Sequence, residues 1–284
     1  MSLPPKVLIL DKSVFHGTST GKLCDFVKNH FVVLPLVLLD ECVTDEKDPQ
    51  ESLLNRFGKV LLAGAYICPS ARDIVKKEGQ TLEPFGSLAD GALTRQYREE
   101  LRAGARFSKP NTVKYIHEGH IDGARTLLDS HLKVIVEIAG AEFEKAAEAL
   151  KKSQANKSVR LKRWVEMVES MDIHKLAVSA FAYFTGTPDK YCLSHDWFTW
   201  HFIRLASIIT FEYCFLKKGK GGEKELTRAE HDLQDIEYIL FLCRADGLIT
   251  SDKDCQLLAQ AAFPEKDVFS SLDDVPDEYL GGWH

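Results

Sequence analysis

From Glu230 to Gln256 the chain reads EHDLQDIEYILFLCRADGLITSDKDCQ, and this stretch constrains the fold more than any other. Asp235 opens an apolar run at helical spacing through Ile236, Ile239, Leu240 and Leu242. A turn follows at Asp246-Gly247, and Leu248-Ile249-Thr250 then makes a short buried strand that ends on Ser251-Asp252. A helix running antiparallel to the strand it feeds brings a carboxylate from its start beside one just past the strand's end. Asp235 and Asp252 are therefore expected to meet.

Two more acids stand where ligand crevices form. Val7-Leu8-Ile9-Leu10 is a continuous apolar run ending in Asp11, the pattern of an inner parallel strand whose carboxyl end faces a crevice. Phe31 to Leu34 gives a second strand, and Pro35 suits the first turn of a helix through Leu36, Leu39, Glu41 and Cys42. Asp40 and Glu41 point in different directions around that helix, so one of the two is expected at the site.

These segments resemble the signature of the PIN-domain nucleases, a family of metal-dependent, RNA-cutting α/β domains. The match lies in D-x(10)-D-G-L-I-T-S-D from Asp235 to Asp252, in the Asp after the first strand and in a Glu in the helix after the second. It covers about the first 45 and the last 55 residues, with a long middle that matches nothing familiar. The resemblance implies that Asp11, Glu41, Asp235 and Asp252 form an acidic quartet, catalytic and metal-binding at once. Asp11 and Asp252 would hold the principal ion, with Thr250, Ser251 and Asp246 supporting the ligands from behind. Asp232 sits one helical turn before Asp235 on the same face, so register alone leaves either to enter.

Two carboxylates about 4 Å apart repel by roughly 4 kcal/mol at an effective dielectric near 20, so converging acids call for a cation. An all-oxygen ligand set favours magnesium or manganese over zinc. Single-stranded RNA is the substrate that the resemblance implies, although nothing in the residues separates RNA from DNA.

The expected fold is α/β, with a central, mainly parallel sheet flanked by helices in a PIN-like three-layer arrangement. Residues 1–84 and 226–284 form it, interrupted by a mostly helical insertion over 85–225. Leu53 to Tyr66 reads as a helix, with Pro69 beyond it, and helical spacing recurs from Asp122 to Phe184. Lys151 to Arg163, KKSQANKSVRLKR, is the one dense basic block. Lys157, Arg160 and Arg163 are its expected nucleic-acid contacts, set against the alternative of a solvated helix face. His195, Trp197, Trp200 and His201 lie in an apolar run and are expected in the core rather than stacked on bases. Lys217 to Lys224 reads as a linker, Asp267-Val268-Phe269 as an edge strand, and Asp273 to His284 as a surface arm.

With 284 residues, 45% of them hydrophobic, the chain can bury a sizeable core, which excludes fibrous and disordered classes. A net charge of −6 excludes a uniformly basic coat, so any polyanion is met by a local patch. Seven cysteines without a C-x-x-C pair predict reduced thiols in a cytoplasmic protein. The most membrane-like stretch, Trp197 to Leu216, carries His201, Arg204 and Glu212, so no membrane span is expected. The loop Gly17 to Lys22 fails as a phosphate-cradling P-loop, having three residues between its glycines and Leu23 after the Lys. The competing function is a catalytically silent module of the same fold, using its helical insertion to bind RNA, a protein partner or a second copy. A phosphoryl-transfer hydrolase is a third class, and the chain lacks the dedicated nucleophile motif for it.

Overall fold

Strands β1 (Val7–Leu10), β2 (Phe31–Pro35), β3 (Tyr66–Cys68), β4 (Gly247–Ile249) and β5 (Asp267–Phe269) form one all-parallel sheet in the order β3-β2-β1-β4-β5. This computed structural model describes residues 5–44, 53–104, 134, 137–185, 193–218 and 235–281. Helices flank the sheet, as in a three-layer α/β fold.

The central strand comes from the start of the chain, and both its neighbours explain its composition. Ile9 is paired with Val33 on one side and Leu248 on the other, and Leu8, Ile9 and Leu10 have no exposed surface. Gly247 lets β4 approach: a Cβ there would stand 3.0 Å from a Leu8 methyl and 3.1 Å from the Phe269 ring.

The N-terminal half winds through α1 (Lys12–Gly17), α2 (Thr20–Asn29), α3 (Leu36–Thr44), α4 (Leu53–Ala63), α5 (Ala71–Thr81) and α6 (Gly91–Arg102). Gly17 to Gly21 is a helix-to-helix entry, with Ser19 accepting from the Lys22 N–H at the start of α2. Residues Tyr66, Ile67 and Cys68 correct the expectation of a helix reaching Tyr66. Gly64, at φ +148°, turns the chain out of α4, and a three-residue strand is too short to show a period.

Asp90 caps α6, and this helix closes the outer edge of β3: the Ile67 N–H donates to Thr94 Oγ1 at 2.9 Å, and the Asp90 N–H to the Ile67 carbonyl at 2.9 Å. Arg98 adds bonds to the carbonyls of Leu61 and Ala65. The Thr94 hydroxyl and the Asp90 N–H thus do at this edge what a further strand would do.

The middle of the chain supplies α7 (137–152), α8 (Lys157–Ser170), α9 (Ile173–Thr185) and α10 (Phe198–Lys218). These helices share one core with the sheet, because α9 and α10 pack on α5 while α8 packs on α12 (Lys253–Ala262). Glu78 of α5 is the main tie. Fully buried, its carboxylate accepts from the N–H groups of Phe85, Phe198 and Thr199 and from the Thr199 hydroxyl at 2.6–2.9 Å, filling the N-terminus of α10. Trp197, Trp200 and His201 are buried as expected, whereas His195 is exposed and lies with its ring centroid 3.9 Å from that of Trp200.

Helical residues 235–240 (α11) and a 3-10 turn at Phe241–Cys243 lead into β4. The C-terminal arm is not loose on the surface. Tyr279 is buried and donates to Asp267 Oδ2 at 2.5 Å, and Gly281 N–H reaches the Asn29 carbonyl. No helix among the described residues is long and apolar enough to cross a membrane. Asp232, most of the linker and residues 122–133 lie outside the described residues.

Candidate active site

The strand order reverses between β1 and β4, and in open parallel sheets the crevice beyond the carboxyl ends of such a pair receives ligands. Asp11 follows β1 directly, and its N–H continues the ladder to the Ile249 carbonyl at 3.1 Å. Its Oδ2 accepts from Ser13 Oγ and from Thr250 Oγ1, both at 2.6 Å. Thr250 has no exposed surface, and its hydroxyl also accepts from the Asp252 N–H at 3.1 Å. The Ser251 N–H donates to Ser13 Oγ at 2.9 Å, so the starts of α1 and α12 are stitched together across the crevice.

Asp252 is the N-cap of α12. Its Oδ1 accepts from the N–H groups of Asp254 at 2.7 Å and Cys255 at 3.1 Å, and its charge faces the positive end of the helix. Asp11 and Asp252 therefore share a design: Oδ2 of the first and Oδ1 of the second are tied to the scaffold. Among the described residues, Oδ1 of Asp11 and Oδ2 of Asp252 accept no hydrogen bond.

Glu41, on α3, is partly buried and accepts a hydrogen bond at Oε2 from the Tyr238 hydroxyl of α11. Burial pushes its carboxyl up to about 7, and the charges of Asp11 and Asp40 act the same way. The Tyr238 bond and the Lys12 ammonium oppose that rise, which places Lys12 and Asp11 within electrostatic reach of Glu41. Asp235 comes in from the start of α11. The buried Cys255 thiol is pushed up by burial first, then by the charges of Asp235 and Asp11, and further by that of Asp252. One buried atom thus feels three of the four expected acids.

Asp246 belongs elsewhere. It precedes β4, at the end of the sheet opposite Asp11, and its Oδ2 accepts from the Val7 N–H at 2.7 Å. A three-residue strand at about 3.3 Å per residue separates it from Thr250, so it supports no ligand.

The basic block divides. Lys157 stands 3.2 Å from Asp254, beside the helix start that Asp252 caps. Arg163 is exposed and pairs with Glu166 within α8. Arg160 corrects the expectation of a phosphate contact. Its guanidinium grips the buried Glu212 at 2.6–3.1 Å and the Ala155 carbonyl at 2.9 Å, while Trp164 Nε1 completes Glu212 at 2.8 Å. That side chain holds α8 to α10.

Three neighbours were not singled out by the sequence as site residues: Lys12, Ser13 and Tyr238. Tyr238 had a signal, since it follows Asp235 by three positions and so shares its helix face.

Among the described residues no three His, Cys, Asp or Glu side chains are grouped so as to hold a metal ion. The quartet is therefore not a ready-made cage. A two-carboxylate site still fits the donor chemistry, because magnesium keeps several waters and is bound through one or two carboxylates plus substrate oxygens. Asp11 and Asp252 match that description, each with one oxygen held and one unclaimed. No family model, no curated protein and no solved structure matches the chain.

Proposed function

We propose that this chain is a magnesium- or manganese-dependent nuclease, similar to the PIN-domain enzymes, that hydrolyses phosphodiester bonds in single-stranded RNA. The observation that carries the reading is the pair Asp11 and Asp252, each with one carboxylate oxygen tied to the scaffold, linked through the Thr250 hydroxyl, which donates to Asp11 Oδ2 and accepts from the Asp252 N–H where the strand order reverses. Metal ligands are commonly held in this way by hydrogen bonds from behind.

Asp11 and Asp252 would hold the ion, with Glu41 and Asp235 flanking it. A bound divalent ion supplies Lewis acidity, activating a water and offsetting charge on the phosphate. Ser13 and Thr250 keep Asp11 from rotating. Lys12 brings a cation to the crevice near Glu41, and Lys157 brings another beside Asp254, which offsets the repulsion of a polyanion by the acids. A cytoplasmic setting accords with Cys68, Cys243 and Cys255, which are free thiols.

The test is cleavage of a labelled single-stranded RNA in magnesium, in manganese and in chelator. Metal-dependent cleavage that Asp11→Asn and Asp252→Asn both abolish supports the reading. A second reading, a catalytically silent module binding RNA or protein, is favoured by the bond from Tyr238 to Glu41 and by the lack of a three-acid group among the described residues. RNA binding without cleavage in any metal selects it.

A further inference from the structure

The hairpin of α7 and α8 carries an apolar groove on the side turned away from the crevice. Phe143 packs on Trp164 with ring centroids 5.5 Å apart, and the short link over 153–156 makes the two helices antiparallel neighbours. Between them lies a surface cavity of about 530 Å³ lined by Ala146, Ala149, Leu150 and Val159, with Lys162 among its walls. Val159 is 49% exposed there, and Ile138, towards the other end of α7, is 42% exposed. At about 100° per residue, Val159 stands about 200° around α8 from Lys157, the residue that meets Asp254 beside the crevice, so groove and crevice face opposite ways.

Charge is divided along the same hairpin. Glu137, Glu142 and Glu144 lie in the first half of α7, whereas Lys145, Lys151 and Lys152 lie in the half before the turn, and all six are exposed. Glu148, which pairs with Lys152 at 2.9 Å, is the one acid in that second half. Because Phe143 is level with Trp164 and the helices run antiparallel, the exposed Lys162 of α8 is level with Lys145. Such a pattern repels a parallel copy of itself and attracts one turned end for end, the arrangement that a two-fold axis produces.

We infer that this hairpin is the interface of a homodimer, in which a second copy of the chain lays its α7 antiparallel on the first. Ile138 of each copy enters the groove of the other, and Glu142 of each meets Lys162 of the other. Ile138 and Ala149 are eleven residues apart, about 16 Å along the helix, so an axis midway near Phe143 and Glu144 sets knob over groove in both directions at once. The same axis puts Glu142 opposite the level of Lys145 and Lys162. Two helices side by side offer a face about 24 Å long and about 20 Å wide, about 1,000 Å² over both copies, which is at the lower edge of specific interfaces. The dimer should therefore dissociate on dilution. It does not depend on the nuclease reading, and it leaves both crevices open.

The experiment is sedimentation equilibrium of the full chain from nanomolar to high micromolar concentration, where the mass should rise from monomer to dimer. Ile138→Glu, at an exposed position, should leave monomer alone. Glu142→Lys turns two symmetric exposed pairs from attraction to repulsion and should raise the dimer Kd by about 10-fold. Adding Lys162→Glu to Glu142→Lys should restore the wild-type Kd, a rescue that independent surface charges would not give. A wild-type chain that stays monomeric throughout overturns the inference; if Lys162→Glu then lowers its RNA binding, the groove belongs to the substrate instead. A dimer that survives both Ile138→Glu and Glu142→Lys forms through another face and overturns it as well, as does a Glu142→Lys loss that Lys162→Glu fails to restore.

Discussion

Lys157, the first residue of α8, pairs at 3.2 Å with Asp254, in the first turn of α12, so the basic block begins against the helix that Asp252 caps. A substrate phosphate entering the crevice competes with Asp254 for that ammonium. Lys157→Ala and Arg163→Ala are expected to weaken RNA binding for all sequences alike. Each should flatten the log-log salt dependence by about 0.7 per lost single-strand contact. Filter binding across a salt series checks this, and an unchanged slope returns the residue to an ordinary solvated face.

Arg160→Ala should behave differently although it lies in the same block. It leaves the buried Glu212 without the guanidinium that neutralises it, a change that costs about 3 to 5 kcal/mol in buried pairs. Urea unfolding measures the loss, and the salt slope of RNA binding should stay as in the wild type.

Asp252 has two jobs that substitution can separate. Asparagine caps helices as well as aspartate, so Asp252→Asn should keep the stability of the metal-free protein within about 0.5 kcal/mol. Asp252→Ala should cost about 1 kcal/mol from the lost cap. Both should abolish manganese binding. Chelator-treated unfolding curves beside calorimetric titrations test the two halves.

Glu78→Gln replaces an oxygen that receives two donors with an amide nitrogen that cannot accept. Unmet buried donors cost about 1 to 3 kcal/mol each, so a loss of about 2 to 6 kcal/mol is expected, with activity intact in the folded fraction. Urea titration decides, and a loss below about 1 kcal/mol denies Glu78 its role at the start of α10.

Glu41 and Glu237 are both pushed up from 4.5 to about 7, each by burial first; the charges of Asp40 and Glu41 then add to the rise at Glu237. The folded protein holds protons there that the unfolded chain releases. Their contribution is therefore fully present below about pH 4.5 and is lost as pH rises through about 7, on the order of 3 kcal/mol for each group in chelator. Glu41→Gln or Glu237→Gln should flatten that decline in unfolding curves taken from pH 4.5 to 8.

The strands legible in the sequence were the buried apolar runs closed by an acid or a proline, Val7 to Asp11, Phe31 to Pro35 and Gly247 to Asp252, together with the edge strand Asp267–Phe269. β3 was hidden because Tyr66 to Cys68 continues an apolar stretch, with its Pro placed after the strand rather than before it. Asp246 and Asp252 lie on either side of β4 in sequence, yet a strand has two ends and only one faces the crevice. Arg160 and Arg163 are three apart, and only the packing of α10 decides that Arg160 turns inward. Tyr238 was absorbed into an apolar helix pattern, where a ring looks like core until its hydroxyl is located.

Because β4 slots beside β1, the crevice closes only when residues 239 positions apart find each other. At ribosomal speeds of about 5 to 20 residues per second, Thr250 emerges about 12 to 48 seconds after Asp11. During that interval one edge of β1 has its backbone groups unpaired, an invitation to intermolecular pairing. Newly made chains should thus depend on holdase chaperones until α11 and β4 arrive, and late-truncated products should precipitate rather than accumulate as folded fragments.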